Sequence, residues 1–353
     1  MKDRGMKMPI GFTITGNSRG ISLIEMMIAM LIGMLLLGGV YRIFISTTTS
    51  YRFEEELSNL QENGRFAMEF LTRDTRQTGY RGCAGSGVSV TNTLNAGAGA
   101  LFDFDRAVEG YDDVADPNAA DFVAMGITPI IGSDVLILRK MDSDVMVEIV
   151  EQMPDTSADI KITGGINPAP IADFDIVMVS DCQAAAVFQV TNYTDGGGSI
   201  KADVVHNSGV GSPGNATKDL GHSFGPGAEI AKMTTYVYFI GTNADGEPGL
   251  YYKVSSGVAQ EIVGGIESMQ ITYGIDADSD RDIDSYVTAA GVADWATVLA
   301  VRVGLLVASM DEVLRGEVDA AAYTLNGTNI AAANDRRLRQ VFTTTVALRN
   351  RLP

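Results

Sequence analysis

Between residues 275 and 286 the chain reads IDADSDRDIDSY, which sets Asp276, Asp278, Asp280, Asp282 and Asp284 at every second position. Oxygen donors repeated through a turning loop are what a hard cation such as Ca2+ takes. The EF-hand string asks for glycine at its sixth place and glutamate at its twelfth. Counted from Asp276, those places hold Arg281 and Val287, so this is no EF-hand. A looser calcium loop and a solvated acidic hairpin tip both stay open. A sixth carboxylate, Glu25, stands inside an apolar run, where a charge costs on the order of 2.5 to 3.5 kcal/mol and is kept mainly where it has a partner. The alternative is a Glu at headgroup level that never leaves water. The string Gly16-Asn17-Ser18-Arg19-Gly20 matches the GxSxG nucleophile elbow, but that motif needs a strand before it and a soluble helix after it. Here a charged leader precedes and an apolar helix follows. Neither GxxxxGK with a following Ser or Thr nor HExxH occurs, and no nucleophile, base and orienter can be nominated, so the chain reads as a non-enzyme. Two histidines and two cysteines also leave too few ligands for a multi-ligand His/Cys metal site. His206, His222 and Trp295 read as ordinary loop or core residues.

The elements that must carry these groups begin with 21 residues, ISLIEMMIAMLIGMLLLGGVY over 21–41, whose only charge is Glu25. As a helix this run spans roughly 30 Å, the thickness of a bilayer core. Before it stand Lys2, Arg4, Lys7 and Arg19 against Asp3, a bias that places this end in the cytoplasm and everything after Arg42 outside. A secretory signal would end in small residues and a cut. Here Tyr41, Arg42 and a continuing helical pattern follow, so the run stays with the chain. Beyond it Phe53, Leu57, Leu60, Gly64, Ala67 and Leu71 recur at spacings of 3 and 4, one apolar seam. Glu54, Glu55, Glu56, Glu62, Arg65, Arg73 and Asp74 surround it. The seam is short for a coiled coil and is interrupted by Gly64, which favours a helix over 42–78 lying on a globular head. Gly38-Gly39 and Thr47-Thr48-Thr49 weaken helix propensity on both sides of the membrane exit. From 79 to 353 the chain reads as strands and turns, with strands expected at 135–138, 176–179, 187–190, 236–240, 271–273, 301–307 and 341–348. Helices of crossover length are not evident, which favours antiparallel pairing, and the Gly, Ser, Asn and Pro of 195–227 suggest a surface loop. The whole chain carries a net charge of −18. Without the leader, whose four cations and one acid go with it, the remainder stands at −21, which argues against nucleic acid or anionic lipid as a partner. Cys83 and Cys182 both fall outside the cytoplasm on this topology, where a disulfide is expected; two separately buried thiols are the alternative.

The segment Arg19-Gly20-Ile21-Ser22-Leu23-Ile24-Glu25 resembles the type III signal of type IV pilins and type II secretion pseudopilins. That resemblance implies a prepilin peptidase that cuts after Gly20, a methylated new N-terminus at Ile21, and a leader over 1–20. It also gives Glu25, fifth in the mature chain, the N-terminal amine of a neighbouring subunit as its partner. Ile21 stands where the family usually has Phe. Gly11-Phe12-Thr13 is a decoy, because Gly16 holds the acidic position and polar residues follow. Further along, Gly79-Tyr80-Arg81-Gly82-Cys83, then Val179-Ser180-Asp181-Cys182 with Val187-Phe188-Gln189-Val190, are similar to the PilW family of type IV pilus assembly proteins. So are the Asp-rich stretch with Trp295, Ala300-Val301-Arg302-Val303, and the terminal VFTTTVALRN of 341–350. The implied fold is α+β and pilin-like, a long N-terminal helix packed on a largely antiparallel β head in the periplasm. The implied function is that of a minor pilin, which primes pilus assembly in the inner membrane and sits at the pilus tip without catalysis or a cofactor, the calcium loop apart. Implied partners are other minor pilins, the major pilin, prepilin peptidase and a PilY-type tip adhesin. Two rival readings share the anchor: a minor pseudopilin of type II secretion, and an adhesive or calcium-dependent tip module.

Overall fold

The computed structural model describes residues 20–85, 88–95, 99–154, 158–196, 201–316 and 318–351. Lys2, Asp3, Arg4, Lys7, Arg19 and the GxSxG serine, Ser18, lie outside the described residues. The chain divides into two compact units, 1–53 and 54–353, and a single helix, Leu23–Gln77, contributes to both.

In the first unit the helix carries Leu, Ile and Met side chains that are half to three-quarters exposed from Ile21 through Phe44. By length and composition it is a helix able to cross a membrane. A helix apolar all round belongs in lipid or in a bundle of like helices. It runs unbroken through Gly38-Gly39 and Thr47-Thr49. There the Thr48 and Thr49 hydroxyls donate to the carbonyls of Phe44 and Ile45 at 2.9 and 2.8 Å, back-bonding that slightly weakens and bends helices.

In the second unit the seam does what its spacing predicts. Leu60, Gly64, Ala67 and Leu71 are buried, and Asp74 and Thr75 extend the buried stripe by a turn. Asp74 is therefore no outer residue as the charge pattern suggested. It accepts a hydrogen bond from the Tyr238 hydroxyl at 2.5 Å and faces Lys140 Nζ at 3.4 Å, partners supplied by strands far away in sequence. The helix ends at Gln77, and Gly79 at φ 77° takes the left-handed turn that an L side chain rarely adopts. Its N–H donates to the Arg139 carbonyl.

All seven expected strands form. The 14-residue strand Glu229–Thr242 organises the larger, nine-stranded sheet. Its first half pairs with Ile176–Ser180 and Val147–Glu148, its second with Val135–Met141 and Pro248–Val254, all antiparallel. Val90–Asn92 on Ala185–Gln189 is a parallel exception. A second sheet orders Ser285–Val287, Ile266–Ile275, Val298–Ala308 and Arg339–Ala347, each antiparallel to its neighbour. One core joins the helix to both sheets: Leu60, Ala67 and Leu71 cluster with Leu136, Leu138 and Tyr238 of the first and with Met269, Ile271, Val303 and Leu305 of the second. The result is an α+β protein with a long apolar N-terminal helix and an antiparallel-rich β head.

Two features depart from expectation, and a third could not be foreseen. Residues 195–227 are not simply a surface loop, for Lys201–Val205 is a strand between Asp159–Thr163 and Asn192–Asp195. Its Ala202 and Val204 are buried while Lys201, Asp203 and Val205 are not. Downstream, Asn215 exchanges hydrogen bonds with the Gln189 backbone at 2.7 Å each way, so side-chain amides bury a segment whose composition reads as turn. His206 is buried there too, and burial pushes its imidazole down to about 4. The second departure is a short helix, Ala120–Met125, closed by Gly126 in the left-handed region. The third is the joint between the sheets. Asp134, 2% exposed, accepts from the Asp113 N–H at 2.9 Å and from the Ile271 N–H of the second sheet at 2.6 Å. Burial outweighs both bonds and raises its carboxyl to about 7.

The sign for Asp134 follows from linkage. A carboxyl whose pKa is higher folded than unfolded keeps an extra proton in the folded state, so its contribution favours folding at low pH and fades as pH rises from about 4 to about 7. We expect the stability of the full chain relative to Asp134→Asn to be greater at pH 5 than at pH 8, read from denaturant unfolding curves of the detergent-solubilised protein. Parallel pH profiles for the two chains would refute the assignment.

Candidate functional site

The residues expected to carry function fall at three places, each described within its own unit. Gly20 and Ile21 stand exposed just before the long helix, with Ile21 77% exposed. Ser22 is the N-cap. Its carbonyl accepts from Met26 N–H at 3.1 Å, and its own N–H donates to Glu25 Oε2 at 3.1 Å. This is the reciprocal half of a capping box, in which a carboxylate at the third helical position reaches back over the first turn. The Ser22-x-x-Glu25 spacing is the sequence signature of this cap. In the isolated chain, then, Glu25 satisfies a helix N-terminal donor, and its negative charge sits at the positive end of the helix dipole.

Cys83 and Cys182 form a disulfide with a Cα–Cα distance of 4.9 Å across 99 residues. It ties the segment leaving the helix to the turn between Ile176–Ser180 and Ala185–Gln189. Closing a loop of that size contributes up to roughly 4.7 kcal/mol on the entropy model. Neighbouring bonds brace the same corner. Ser180 Oγ donates to the Arg81 carbonyl at 3.0 Å, and His222 Nε2 lies 2.8 Å from Asp181 Oδ2. Burial raises the Asp181 carboxyl, but the N–H groups of Gln183 and Ala184 together with His222 hold it below its ordinary range. Trp295 packs edge-on against Tyr273 at 4.8 Å. His206 is buried beside Phe188, His222 lies in a loop, and Trp295 is half-buried in a short 3-10 turn against the core.

The Asp-rich stretch forms the tip that joins Ile266–Ile275 to Ser285–Val287. It brings Asp276, Asp278 and Asp284 together, with ligand atoms within 4.8 Å of one another, and leaves Asp280 and Asp282 outside that group. The carboxylates already work within the turn. Asp276, 7% exposed, accepts from the Ser279 N–H at 2.7 Å and the Arg281 N–H at 3.0 Å. Asp284 accepts from Ala277 N–H at 2.7 Å. Ser279 and Arg281 both hold positive φ, 66° and 76°, a conformation costly for L residues that the Asp276 carboxylate holds by bonding both of their N–H groups. At Asp278 the N–H of Asp280 favours the charged form, but the carboxylates of Asp280, Asp284 and Asp276 prevail and raise its pKa. Such crowding is what a cation would relieve and what a bare hairpin tip tolerates by exposure.

Comparison with known proteins bears on both ends of the chain. The family model Type IV Pilus-assembly protein W matches residues 237–350, and the Prokaryotic N-terminal methylation motif matches residues 15–41. The first takes in the Asp-rich hairpin and the terminal strand but not the Gly79–Cys83 or Val179–Cys182 segments. No curated protein matches the chain. Among solved structures, the type IV-like pilin TTHA1219 from Thermus thermophilus is similar over 86% of this chain and 98% of its own, at 12% identity and a TM-score of 0.33.

The turn geometry separates a supporting carboxylate from a spectator one. Asp276→Ala removes the buried carboxylate that accepts from the N–H groups of the exposed Ser279 and Arg281, and the loss of these two charge-assisted hydrogen bonds is expected to cost about 1 to 3 kcal/mol. Asp282→Ala removes a carboxylate that accepts nothing within the turn and is expected to change stability by less than about 0.5 kcal/mol. Denaturant unfolding of the full chain in detergent compares them, and equal losses would contradict the capping role.

Proposed function

We propose that this chain, a PilW-type protein of the type IV pilus with a prepilin-like N-terminal signal, is a minor pilin that helps prime and assemble type IV pili. The observation that carries the reading is the joint occurrence of the two matched regions at the ends of one architecture. The methylation motif over 15–41 takes in the first part of the exposed apolar helix, which starts at Leu23, and the assembly-protein match over 237–350 includes strands that pack on the buried seam at Leu60–Leu71. The prepilin motif and the apolar helix fit a membrane anchor.

On this reading a prepilin peptidase cuts between Gly20 and Ile21, and the helix remains as the single span, with the head in the periplasm. An all-round apolar helix can pass from lipid into a bundle of similar helices with little change in the medium it contacts. A carboxylate inside such a bundle needs a cation beside it. Glu25 meets that need with the N-terminal amine of a neighbouring subunit, exchanging its bond to Ser22 N–H for an intersubunit pair. Other minor pilins and the major pilin are then its assembly partners, and the pilus tip its final place. The disulfide suits the oxidising compartment in which the head would fold. A second role is favoured by the clustered ligand atoms of Asp276, Asp278 and Asp284, a Ca2+ site at the head's acidic tip. An unfolding midpoint unmoved by millimolar CaCl2 would remove that second role and leave the first.

Deletion of the gene distinguishes the readings that share this anchor. Loss of surface pili with exported enzymes unaffected is the expected outcome. Retained pili with lost attachment would point to a tip adhesin instead, and retained pili with lost enzyme export to a type II secretion pseudopilin.

A further inference from the structure

The strand Arg339–Ala347 ends its sheet, pairing with Val298–Ala308 on one side only, and at nine residues it is the longest edge strand among the described residues. Its ladder can be phased. The Leu348 N–H donates to the Leu299 carbonyl just beyond one end, and the Ser309 N–H donates to the Leu338 carbonyl just beyond the other. The register between them is unbroken. Bonded and non-bonded pairs alternate along an antiparallel ladder, so even-numbered residues face the neighbour, while Val341, Thr343 and Thr345 turn their N–H and C=O groups to the open edge. Soluble proteins blunt such edges with Lys, Pro or a bulge. From Val341 to Ala347 this strand has no charge and no proline, and its register has no bulge.

The edge borders a groove of about 1110 Å3 between the strand, the helix face at Arg65–Gln77 and the end of Val135–Met141. Phe342, Met68, Tyr80 and Tyr236 give it an apolar floor. Its rim holds Arg65, Arg73, Arg76, Lys140 and Arg349 against Glu69, Asp142 and Asp144, a cationic excess in a chain of net charge −18. Lys140 and Arg73 are taken by the buried Asp74. Arg65, Arg76 and Arg349 are exposed, and none of them makes an ion pair among the described residues. Three unpaired guanidinium groups beside an unpaired strand edge and an apolar floor complement one kind of occupant. Backbone pairing needs an extended chain, the floor needs an apolar side chain at alternate positions, and the rim needs carboxylates.

We infer that this groove receives an extended acidic segment of a partner polypeptide as an added strand along residues 341–345. The three unpaired arginines hold its carboxylates. The identification of that partner as a fellow pilus subunit rests on the minor-pilin reading; the binding chemistry does not. A polyphosphate fits less well, because it offers neither backbone donors and acceptors for the open strand edge nor an apolar side chain for the floor.

The test uses the detergent-solubilised full chain and a labelled peptide of alternating Glu and Val, with a Lys/Val peptide and a single-stranded oligonucleotide of similar charge as comparators, read by fluorescence anisotropy. The Glu/Val peptide is expected to bind at least about tenfold more tightly than either comparator. Thr343→Pro removes an edge N–H that the native ladder does not use and is expected to weaken that binding at least about tenfold. The pair Arg65→Glu and Arg349→Glu, which leaves the strand intact, is expected to do the same. A Glu/Val peptide that binds no better than the Lys/Val peptide, or binding that both variants leave unchanged, would overturn the inference. Tighter binding of the oligonucleotide would replace it with a nucleic-acid site. Because the assay needs no pilus, its failure is distinct from pili that persist after deletion, which would overturn the minor-pilin reading alone.

Discussion

The head is held by the contact of one narrow helix seam with two sheets at once. Its tightest point is Gly64 against Phe342: a Cβ built on Gly64 would stand 2.4 Å from that ring, well inside van der Waals contact. Glycine leaves room for the Phe342 ring to lie directly on the helix backbone, which explains a residue that otherwise lowers helix propensity. The approach brings Leu60, Ala67 and Leu71 into the core that both sheets share. Without the helix each sheet would expose one apolar face to water, at about 25 cal/mol for each Å2 uncovered. The buried Asp74 closes the same interface by pairing with Tyr238 and Lys140. Burial and then the Asp74 carboxylate drive the Tyr238 hydroxyl strongly upward, so it stays protonated and remains a donor.

Much of this was legible because its signals are local. The seam from Phe53 to Leu71 has the 3.6-residue period of one helix face, and strands such as Val298–Ala308 are rich in β-branched residues that few other structures favour. The apolar run with its single carboxylate announced itself by length alone. What escaped depends on distant partners. Asp74 reads as surface charge until strands more than sixty residues away supply Lys140 and Tyr238. The strand Lys201–Val205 is five residues long in a glycine-rich setting, and only its alternation at Ala202 and Val204 marked it. Asn215 looks like a turn residue and is instead a buried clamp on the Gln189 backbone.

The candidate sites divide in the same way. The Gly20-Ile21 junction, the proposed cleavage point, and Glu25 are sequence-local, so their motif was readable, and what the structure adds is the capping bond to Ser22. The cysteine pair needed an inference about compartment before it could be joined, and the corner it staples could not be foreseen. The alternation of aspartates over 276–284 was plain, but the turn selects three of the five and commits Asp276 and Asp284 to its own backbone. Periodicity in sequence does not fix which side chains converge once Ser279 and Arg281 bend the chain through positive φ.

The proposed minor-pilin role requires Ile21 to become a chain terminus, because only then do a charged amine and the Glu25 carboxylate lie on the same apolar helix, ready to pair between copies. The mass of the N-terminal peptide of the membrane-isolated protein, from cells with and without prepilin peptidase, tests this most directly. The expected result is a chain that begins at methylated Ile21 only when the peptidase is present. An intact Met1 leader in both would contradict it and leave an ordinary membrane-anchored protein.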